Sequence, residues 1–312
     1  MKTRFAILVL VSLLLLAAAA WLGTPFTGEH SQFVLWQLRV PRVLVGALVG
    51  GTLALVGAVF QAVFANPLAT PCTVGTTAGA TLGALAALAL DLAPRVEGLP
   101  MVTLMAFAGA FGASLIVALA AAGGRARIDD VLLAGIAVTL AATALSTGIQ
   151  YAADARALVA AALWSLGSLP QVGYRGVLVL LPFVVPTAIV LLGSTRGLQA
   201  LAVSEELARA QGVDVPRLRM IALGVGSLGV AACVAWCGPI AFVGLIVPHL
   251  ARLVLGASLR LLLPASIALG AGFLVSCDFL ARFLVPSREL PVGVLTAALG
   301  APALILLVWR RR

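Results

Sequence analysis

The sequence predicts an all-α polytopic membrane protein, from its composition and from the arrangement of its apolar residues. Of the 312 residues, 62% are hydrophobic and 10% are charged, and the mean hydropathy is +1.16. A soluble domain contains about 45–50% apolar and about 25% charged residues, so this chain has too little polar surface for a water-soluble fold. Ten successive apolar stretches approach the length of about 20 residues that a membrane span needs. We therefore expect one integral membrane domain, residues 1–312, with about ten transmembrane helices.

The ten spans follow one another from the first residues to the last. They are predicted at residues 5–22, 40–62, 74–92, 99–122, 131–150, 176–194, 219–236, 240–257, 262–284 and 292–309. The N-terminal stretch has the basic start and apolar run of a signal peptide, but further spans follow it, so we interpret it as an uncleaved first helix. Residues 154–170 are too short and interrupted to span, and they predict a helix near one membrane surface.

Arginine and lysine placement predicts the orientation, because cytoplasmic loops are enriched in both residues. With both termini in the cytoplasm, thirteen basic residues fall inside and seven outside. Topology and attraction to anionic membrane lipid explain the net charge of +9. The charge therefore gives no reason to expect nucleic acid as a partner.

Two interruptions in the spans indicate an internal repeat. The segments NPLATP (66–71) and CGPIAFVGLIVPH (237–249) each follow a glycine-rich helix, and those two helices run in opposite directions across the membrane. Broken backbone at membrane depth is tolerated where protein or a water-filled cavity surrounds it. The glycine pairs Gly46/Gly50 and Gly79/Gly83 have the spacing that allows helices to approach closely. We expect an inverted repeat, an architecture common among transporters.

Few residues in the chain could carry covalent chemistry. Lys2 is the only lysine, so the chain lacks a phosphate-binding loop of the kind that needs a lysine beside the phosphates. Neither His30 nor His249 has the neighbours of a nucleophile–base pair or a zinc site. Inside a span, Asp278 is followed one helical turn later by Arg282, which predicts an internal ion pair. We therefore expect no catalytic residue, metal or cofactor in this chain.

One charged segment stands out between two long apolar blocks. It is SEELARAQGVDVPRLR, residues 204–219. Ser204 can cap a helix, Glu205 and Glu206 suit its positive end, Arg209 lies in its last turn, and Gly212 is a natural stop. A surface helix this short is marginal in water. It is either a solvated loop helix or a docking element for a soluble partner.

Six motifs in order resemble one family. They are LRVPR (38–42), NPLATPCTVGTTAGA (66–80), WSLGSL (164–169), EELARAQGV (205–213), FVGLIVPHLARL (242–253) and ELPVGVLTAALGAP (289–302). They are similar to the FecCD-type permease subunits of bacterial ABC importers for iron-siderophores, haem and vitamin B12. The resemblance implies a multi-pass protein of the bacterial inner membrane that pairs with a second permease copy. It also implies two cytoplasmic ATPase subunits, which would hold ATP and Mg, and a periplasmic substrate-binding protein.

The same resemblance implies three groups of functional residues. Residues 204–213 resemble a cytoplasmic coupling helix that docks on the ATPase, with contacts from Ser204, Glu205, Glu206, Leu207, Arg209 and Gly212. Arginines at the outer face match positions that dock the binding protein, namely Arg39, Arg42 and Arg282, although Arg39 and Arg42 could instead anchor a span at the membrane interface. A translocation gate is implied at two turns, formed by Asn66, Pro67 and Leu68 and by Arg127, Ile128 and Asp129.

These features favour an ABC importer permease that takes up a large metal chelate by alternating access. An ion-gradient-driven secondary transporter is the alternative, because inverted repeats and broken helices fit it equally well. An intramembrane enzyme ranks third, since the sequence lacks a nucleophile–base or metal constellation.

Overall fold

A computed structural model describes residues 2–21, 31–92, 95–96, 99–122, 128–169, 173–284 and 289–309. Almost all of this part of the chain is helical. The helices are α1 Lys2–Trp21, α2 Ser31–Phe33, α3 Val40–Val63, α4 Thr76–Ala89, α5 Met101–Ala122, α6 Ile128–Ala152, α7 Ala155–Ser165, α8 Arg175–Gly193, α9 Thr195–Leu201, α10 Glu205–Ala210, α11 Val215–Cys237, α12 Val243–Leu255, α13 Leu259–Phe283 and α14 Val292–Trp309. A π-helical segment, Val34–Arg39, joins α2 to α3, and a 3₁₀ turn, Pro71–Val74, precedes α4. Strands β1 Arg95–Val96 and β2 Leu99–Pro100 form a short antiparallel hairpin.

A helix lies at each of the ten predicted spans, and its ends lie within a few residues of the prediction. In the described residues, seven helices are long and apolar enough to cross a membrane: α1, α3, α5, α6, α8, α11 and α13. The other three predicted spans are α4, α12 and α14, with 14, 13 and 18 residues. At about 1.5 Å per residue, α4 and α12 are shorter than a hydrocarbon core of about 30 Å. These two helices therefore need the non-helical segments before them to complete a crossing.

The two chain breaks have the same construction. After α3 the chain turns at Ala65 (φ +46°), and α4 starts from Gly75 (φ +78°). After α11 it turns at Gly238 (φ +73°), and α12 starts from Phe242 (φ +66°). Left-handed backbone is strained for a bulky side chain such as that of Phe242, and it persists only where its surroundings fix it. Both half-length helices thus begin inside the protein from a left-handed residue.

The helices around the two chain breaks, α3–α5 and α11–α13, are the two halves of the predicted repeat, and they pack on each other reciprocally. Helix α3 packs along α13 and α11 packs along α5, so the first helix of each half lies on the third helix of the other. Glycines permit close helix contacts: a β-carbon at Gly50 of α3 would meet the Gly270 carbonyl of α13, and, between neighbouring helices, one at Gly79 of α4 would meet the Gly109 carbonyl of α5. The close approach expected at the glycine pairs is confirmed, and the reciprocal packing supports the predicted inverted repeat.

The elements outside the spans were predicted only in part. Residues 154–170 do hold a short helix, α7, as expected, but α9 is too polar and too short to give a span-like signal. The π-helical segment ends where Val40 donates its N–H to Leu35, five residues back. Pro41 follows immediately and has no N–H to donate, which explains why the helix register changes at this point.

Candidate functional site

The segment 204–219 forms a capped helix held against the membrane domain. Ser204 accepts a hydrogen bond from the Leu207 N–H at 3.0 Å, and α10 then runs to Ala210. Gly212 has φ +77° with open space around it, so the left-handed turn and not crowding favours glycine there. The chain re-enters the membrane through α11, whose N-cap is Asp214. The predicted short capped helix is confirmed, whereas its role as a coupling helix stays a prediction.

The inner face of α10 is fixed by apolar packing and an ion pair. Ala208 is completely buried with Ala200, Leu201 and Val215 of the neighbouring helices. Glu205 accepts hydrogen bonds from Arg209 at 2.6 Å and from Arg219 of α11 at 2.7 Å. The Arg219 guanidinium is the main reason that the pKa of Glu205 is lowered, with a smaller contribution from Arg209. The carboxylate of Glu205 is therefore engaged by arginines of this same chain.

The outer face of α10 is open. Glu206 is exposed, and Leu207 and Val203 expose 38% and 68% of their surfaces. The Arg209 side chain is 62% exposed although it is paired with Glu205. Apolar side chains beside a carboxylate and a guanidinium make a surface suited to a soluble protein partner. The structure thus divides the adjacent glutamates: Glu205 faces inward and Glu206 faces outward.

The three arginines that were predicted to dock the binding protein lie in a mixed charge cluster. Arg42 is 6% exposed and contacts both carboxylate oxygens of Asp278, at 2.7–3.0 Å. Its Nη1 also donates to Glu289 at 2.9 Å. This two-point geometry is the strongest form of arginine–carboxylate pairing. Arg42 thus links α3 to α13 inside the protein.

Arg282 and Arg39 complete the cluster. The Nε of Arg282 lies 3.5 Å from Asp278, which confirms the expected ion pair, and its guanidinium stacks over Phe279 with 5.6 Å to the ring centre. Arg39 is half-buried and lies within electrostatic reach of Arg282. The structure therefore brings the three arginines together, and it adds two carboxylates that make the region less positive than three arginines alone.

Residues of the predicted gate lie at the first chain break and at the start of α6. Asn66 accepts a hydrogen bond from the Leu68 N–H at 2.9 Å, and Leu68 is 55% exposed. Pro67 lies between them in the turn. Ile128 and Asp129 open α6, and Asp129 is exposed. Arg127 lies outside the described residues.

A contact brings the two parts of the gate onto adjacent elements. A β-carbon at Gly135 of α6 would collide with the carbonyl oxygen of Thr73, in the 3₁₀ turn that follows the first chain break. Helix α6 therefore packs directly on the 3₁₀ turn that follows the segment with Leu68.

A cavity of about 210 Å³ lies where the two chain breaks meet. Its walls come from both halves of the protein: Thr70, Pro71, Cys72 and Thr77 on one side and Ile240, Ala241, Phe242, Gly244 and Leu245 on the other, with Leu53, Val230 and Val234. Cys72 is the exposed member of the four cysteines, and the other three are buried. The sequence pattern located both breaks but could not show that they face one cavity.

Helix α6 carries a polar stripe that sequence reasoning missed. Thr139, Thr143, Thr147 and Gln150 share one face, and the last three are exposed. The threonine hydroxyls donate to carbonyls one turn back, for example Thr143 to Thr139 at 2.7 Å, which leaves their oxygens facing outward. In the sequence, these polar residues follow one another at spacings of 4, 4 and 3 within an apolar span, and this pattern could have indicated the stripe. Exposed polar groups at this depth favour an aqueous or protein neighbour over lipid.

Curated relatives match nearly the whole chain. It is 40% identical over 293 residues to the cobalamin import system permease protein BtuC of Halobacterium salinarum, covering 94% of this chain and 77% of that protein. It is 35% identical to the hemin transport system permease protein HmuU of Yersinia pestis, covering 92% and 86%. It is 36% identical to the Fe(3+) dicitrate transport system permease protein FecD of Escherichia coli, covering 91% and 88%.

A solved structure agrees in fold and length. It is described as an inward-facing conformation of a metal-chelate type ABC transporter, and the match has a TM-score of 0.90 at 29% identity, covering 99% of this chain and all of that one. The sequence profile of the FecCD transport family matches residues 4–310. This protein, with ten apolar helices, two chain breaks and a capped charged helix, therefore belongs to the FecCD transport family of membrane permeases.

Proposed function

We propose that this chain is the membrane-spanning subunit of an ATP-driven importer that takes up a large metal chelate, such as an iron-siderophore, haem or cobalamin. The observation that carries the proposal is the open face of α10 around Glu206 and Leu207, on a chain with no phosphate-binding lysine of its own. The names of the relatives support the cargo class, because they specify cobalamin, hemin and iron dicitrate. ATP and Mg would be held by the partner ATPase.

The assembly we propose has two copies of this chain or a pair of like permeases. The polar stripe of α6 supports this arrangement, because only 17% of the residues in the apolar window of α6 are buried within one chain. Two stripes facing each other would line a central path, with Leu68 and Asp129 near its cytoplasmic end. ATP binding and hydrolysis would move the α10 helices and expose that path to each side in turn.

The proposed location is the bacterial inner membrane, with both termini in the cytoplasm. In a variant with Cys72 replaced by serine, a cysteine at Arg156 on α7 should react with an impermeant maleimide added to intact spheroplasts. A cysteine at Gln211, beside α10, should react only after the membrane is opened. Both positions are exposed, so a failure to react reports location and not burial. If intact spheroplasts label Gln211→Cys and leave Arg156→Cys unlabelled, the topology is the reverse of the one proposed.

The function is tested in proteoliposomes that contain the chain, its ATPase and its binding protein. We expect uptake of cobalamin, haemin or iron(III) dicitrate to require ATP and to stop with vanadate. Glu206→Arg should lower ATP-dependent uptake at least ~10-fold, equivalent to about 1.4 kcal/mol of lost docking energy, because it reverses the charge on the open face of α10. The readout is cargo retained per vesicle after filtration.

The alternative makes the opposite prediction. A secondary transporter would take up cargo with an imposed proton or sodium gradient, without ATP and in the presence of vanadate. Uptake with these properties, unchanged in Glu206→Arg, would contradict the proposal.

The outer charge cluster is proposed to dock the binding protein. Arg39→Glu should weaken binding of that protein about 10-fold, equivalent to about 1.4 kcal/mol, and raised salt should weaken the unmutated complex, because charged interfaces are steered electrostatically. Arg156→Glu, an exposed reversal on α7, is the control. Affinity is measured by titrating labelled binding protein onto reconstituted vesicles. Equal affinity for the wild type and Arg39→Glu at two salt concentrations would leave Arg39 as a membrane anchor.

A further inference from the structure

Arg219 is a buried charge whose partner lies on the helix that would meet the ATPase. It lies just over one turn into α11, its side chain is 6% exposed, and its Nη2 donates to Glu205 at 2.7 Å. The Nε of the same guanidinium is buried with no hydrogen-bond partner in the part of the chain that the structure describes. Glu205 is thus the carboxylate that compensates this charge among the described ion pairs.

A buried guanidinium strongly restricts the position of its partner. Separating the pair would leave an uncompensated charge away from water, which is far more costly than breaking an exposed pair. The apolar contact of Ala208 with Val215 acts on the same two helices, α10 and α11. Helix α10 is therefore held to α11 at two points, one charged and one apolar, and displacement of α10 would displace the start of α11.

Helix α11 leads from this contact to the cavity. It is a continuous helix of 23 residues, and it packs on α3, α5 and α8. Val230 and Val234 of α11 line the cavity at the two chain breaks, about 16 and 22 Å along the helix from Arg219 at 1.5 Å per residue. The chain break itself follows directly at Gly238. A shift at one end of α11 therefore reaches a wall of the cavity without crossing a flexible joint.

We propose that Arg219 is the positioning residue that transmits movement of α10 through α11 to the cavity, by way of its ion pair with Glu205. The proposal rests on the proposed function, since it needs an ATPase that moves α10. In this proposal Glu205 transmits the movement of α10 inside the permease, and the open face around Glu206 docks the ATPase. Loss of the ion pair should thus separate movement of α10 from movement of α11 without releasing the ATPase.

Cys72 provides a readout that needs no identified cargo. It lines the cavity opposite Val230 and is the exposed cysteine of this chain. In the reconstituted complex, trapping with ATP and vanadate should change the rate at which a small maleimide labels Cys72 at least about 5-fold relative to the nucleotide-free state. Arg219→Met should reduce this change to less than about 2-fold, while the ATPase still co-purifies and still hydrolyses ATP. Cys72→Ser reports background labelling.

Matched variants separate transmission from folding. Arg217→Met removes a neighbouring but exposed arginine and should label as the wild type does. Glu205→Gln removes the charge from the half-exposed partner, and it should reproduce the loss even if Arg219→Met inserts poorly. Exchange of the pair, Glu205→Arg with Arg219→Glu, should restore at least half of the nucleotide-dependent change.

Two results would overturn the inference. One is a full labelling change in Glu205→Gln and Arg219→Met. The other is equal labelling of the wild-type complex in both nucleotide states, which would show that α11 carries no movement to the cavity. If wild-type vesicles also fail to take up any of the three chelates with ATP, the proposed function fails as well. ATP-driven uptake with unchanged Cys72 labelling would refute the transmission route alone.

Discussion

Gly57→Ala is expected to destabilise the protein strongly by forcing α3 away from α12. A β-carbon at position 57 would overlap the carbonyl oxygen of Gly244 and lie 2.6 Å from its carbonyl carbon and Cα. All three are backbone atoms, so no side-chain rotation can relieve the overlap. One turn further on, Gln61 donates to the carbonyl oxygens of Gly244 and Leu245 at 3.3 and 3.4 Å, and these bonds would be stretched too. Overpacking typically costs about 1–3 kcal/mol, and we expect the upper end or beyond.

The measurement is thermal unfolding of the purified protein in detergent, together with the yield of monodisperse material. Gly224→Ala is the matched control, because no heavy atom lies within 4 Å of a β-carbon built there. It should be neutral or stabilising, since alanine is favoured over glycine inside a helix by about 0.8–1 kcal/mol. Equal unfolding temperatures for Gly57→Ala and the wild type would show that α3 and α12 are not packed as closely as described.

Arg42→Met is expected to have the second large effect, a loss of about 3–5 kcal/mol of unfolding free energy. The substitution keeps an unbranched apolar stem but leaves Asp278, which is 3% exposed, without its two-point partner. Arg282 is the weaker partner, because its Nε lies 3.5 Å from the carboxylate. The comparison is Glu289→Gln, whose side chain is 49% exposed and whose loss should cost about 1 kcal/mol or less.

A double variant tests whether the charge or the packing matters. Replacing both partners, Arg42→Met with Asp278→Leu, should recover at least half of the loss, because an apolar pair has no desolvation penalty to offset. Unfolding is followed by denaturant titration in mixed micelles. Simple additivity of the two single losses would mean that the residues do not act as a pair.

The spans were predictable because membrane insertion depends on local composition. A run of apolar residues is enough to define each of the ten helices, and their observed ends differ from the predictions by a few residues. The start of α6 is an example: the apolar run begins at Val131, and the helix begins at Ile128, three residues earlier. Acidic residues at the start of a helix are favourable, so the helix extends past the apolar stretch.

Side-chain partners were less predictable because they depend on how the helices pack. The spacing of Asp278 and Arg282 pointed to an ion pair one turn apart, and that pair exists, but Arg42 takes the better geometry from 236 residues away. In the same way Glu205 and Glu206 look equivalent in sequence. Only the position of Arg219 on the adjacent helix α11 determines which of them faces inward.

The exchange of helices between the two halves sets an order of events during biosynthesis. Helix α3 leaves the ribosome long before α13, so Arg42 enters the bilayer region well before its partner Asp278 is made, 236 residues later. At about 5–20 residues per second, that interval is roughly 10–50 s. For most of it, the guanidinium of Arg42 and the backbone faces at Gly50 and Gly57 have no partner from the second half. Until the second half arrives, the first half therefore exposes surfaces that the folded protein buries, and a ribosome stalled between the halves would leave such a fragment open to membrane proteases.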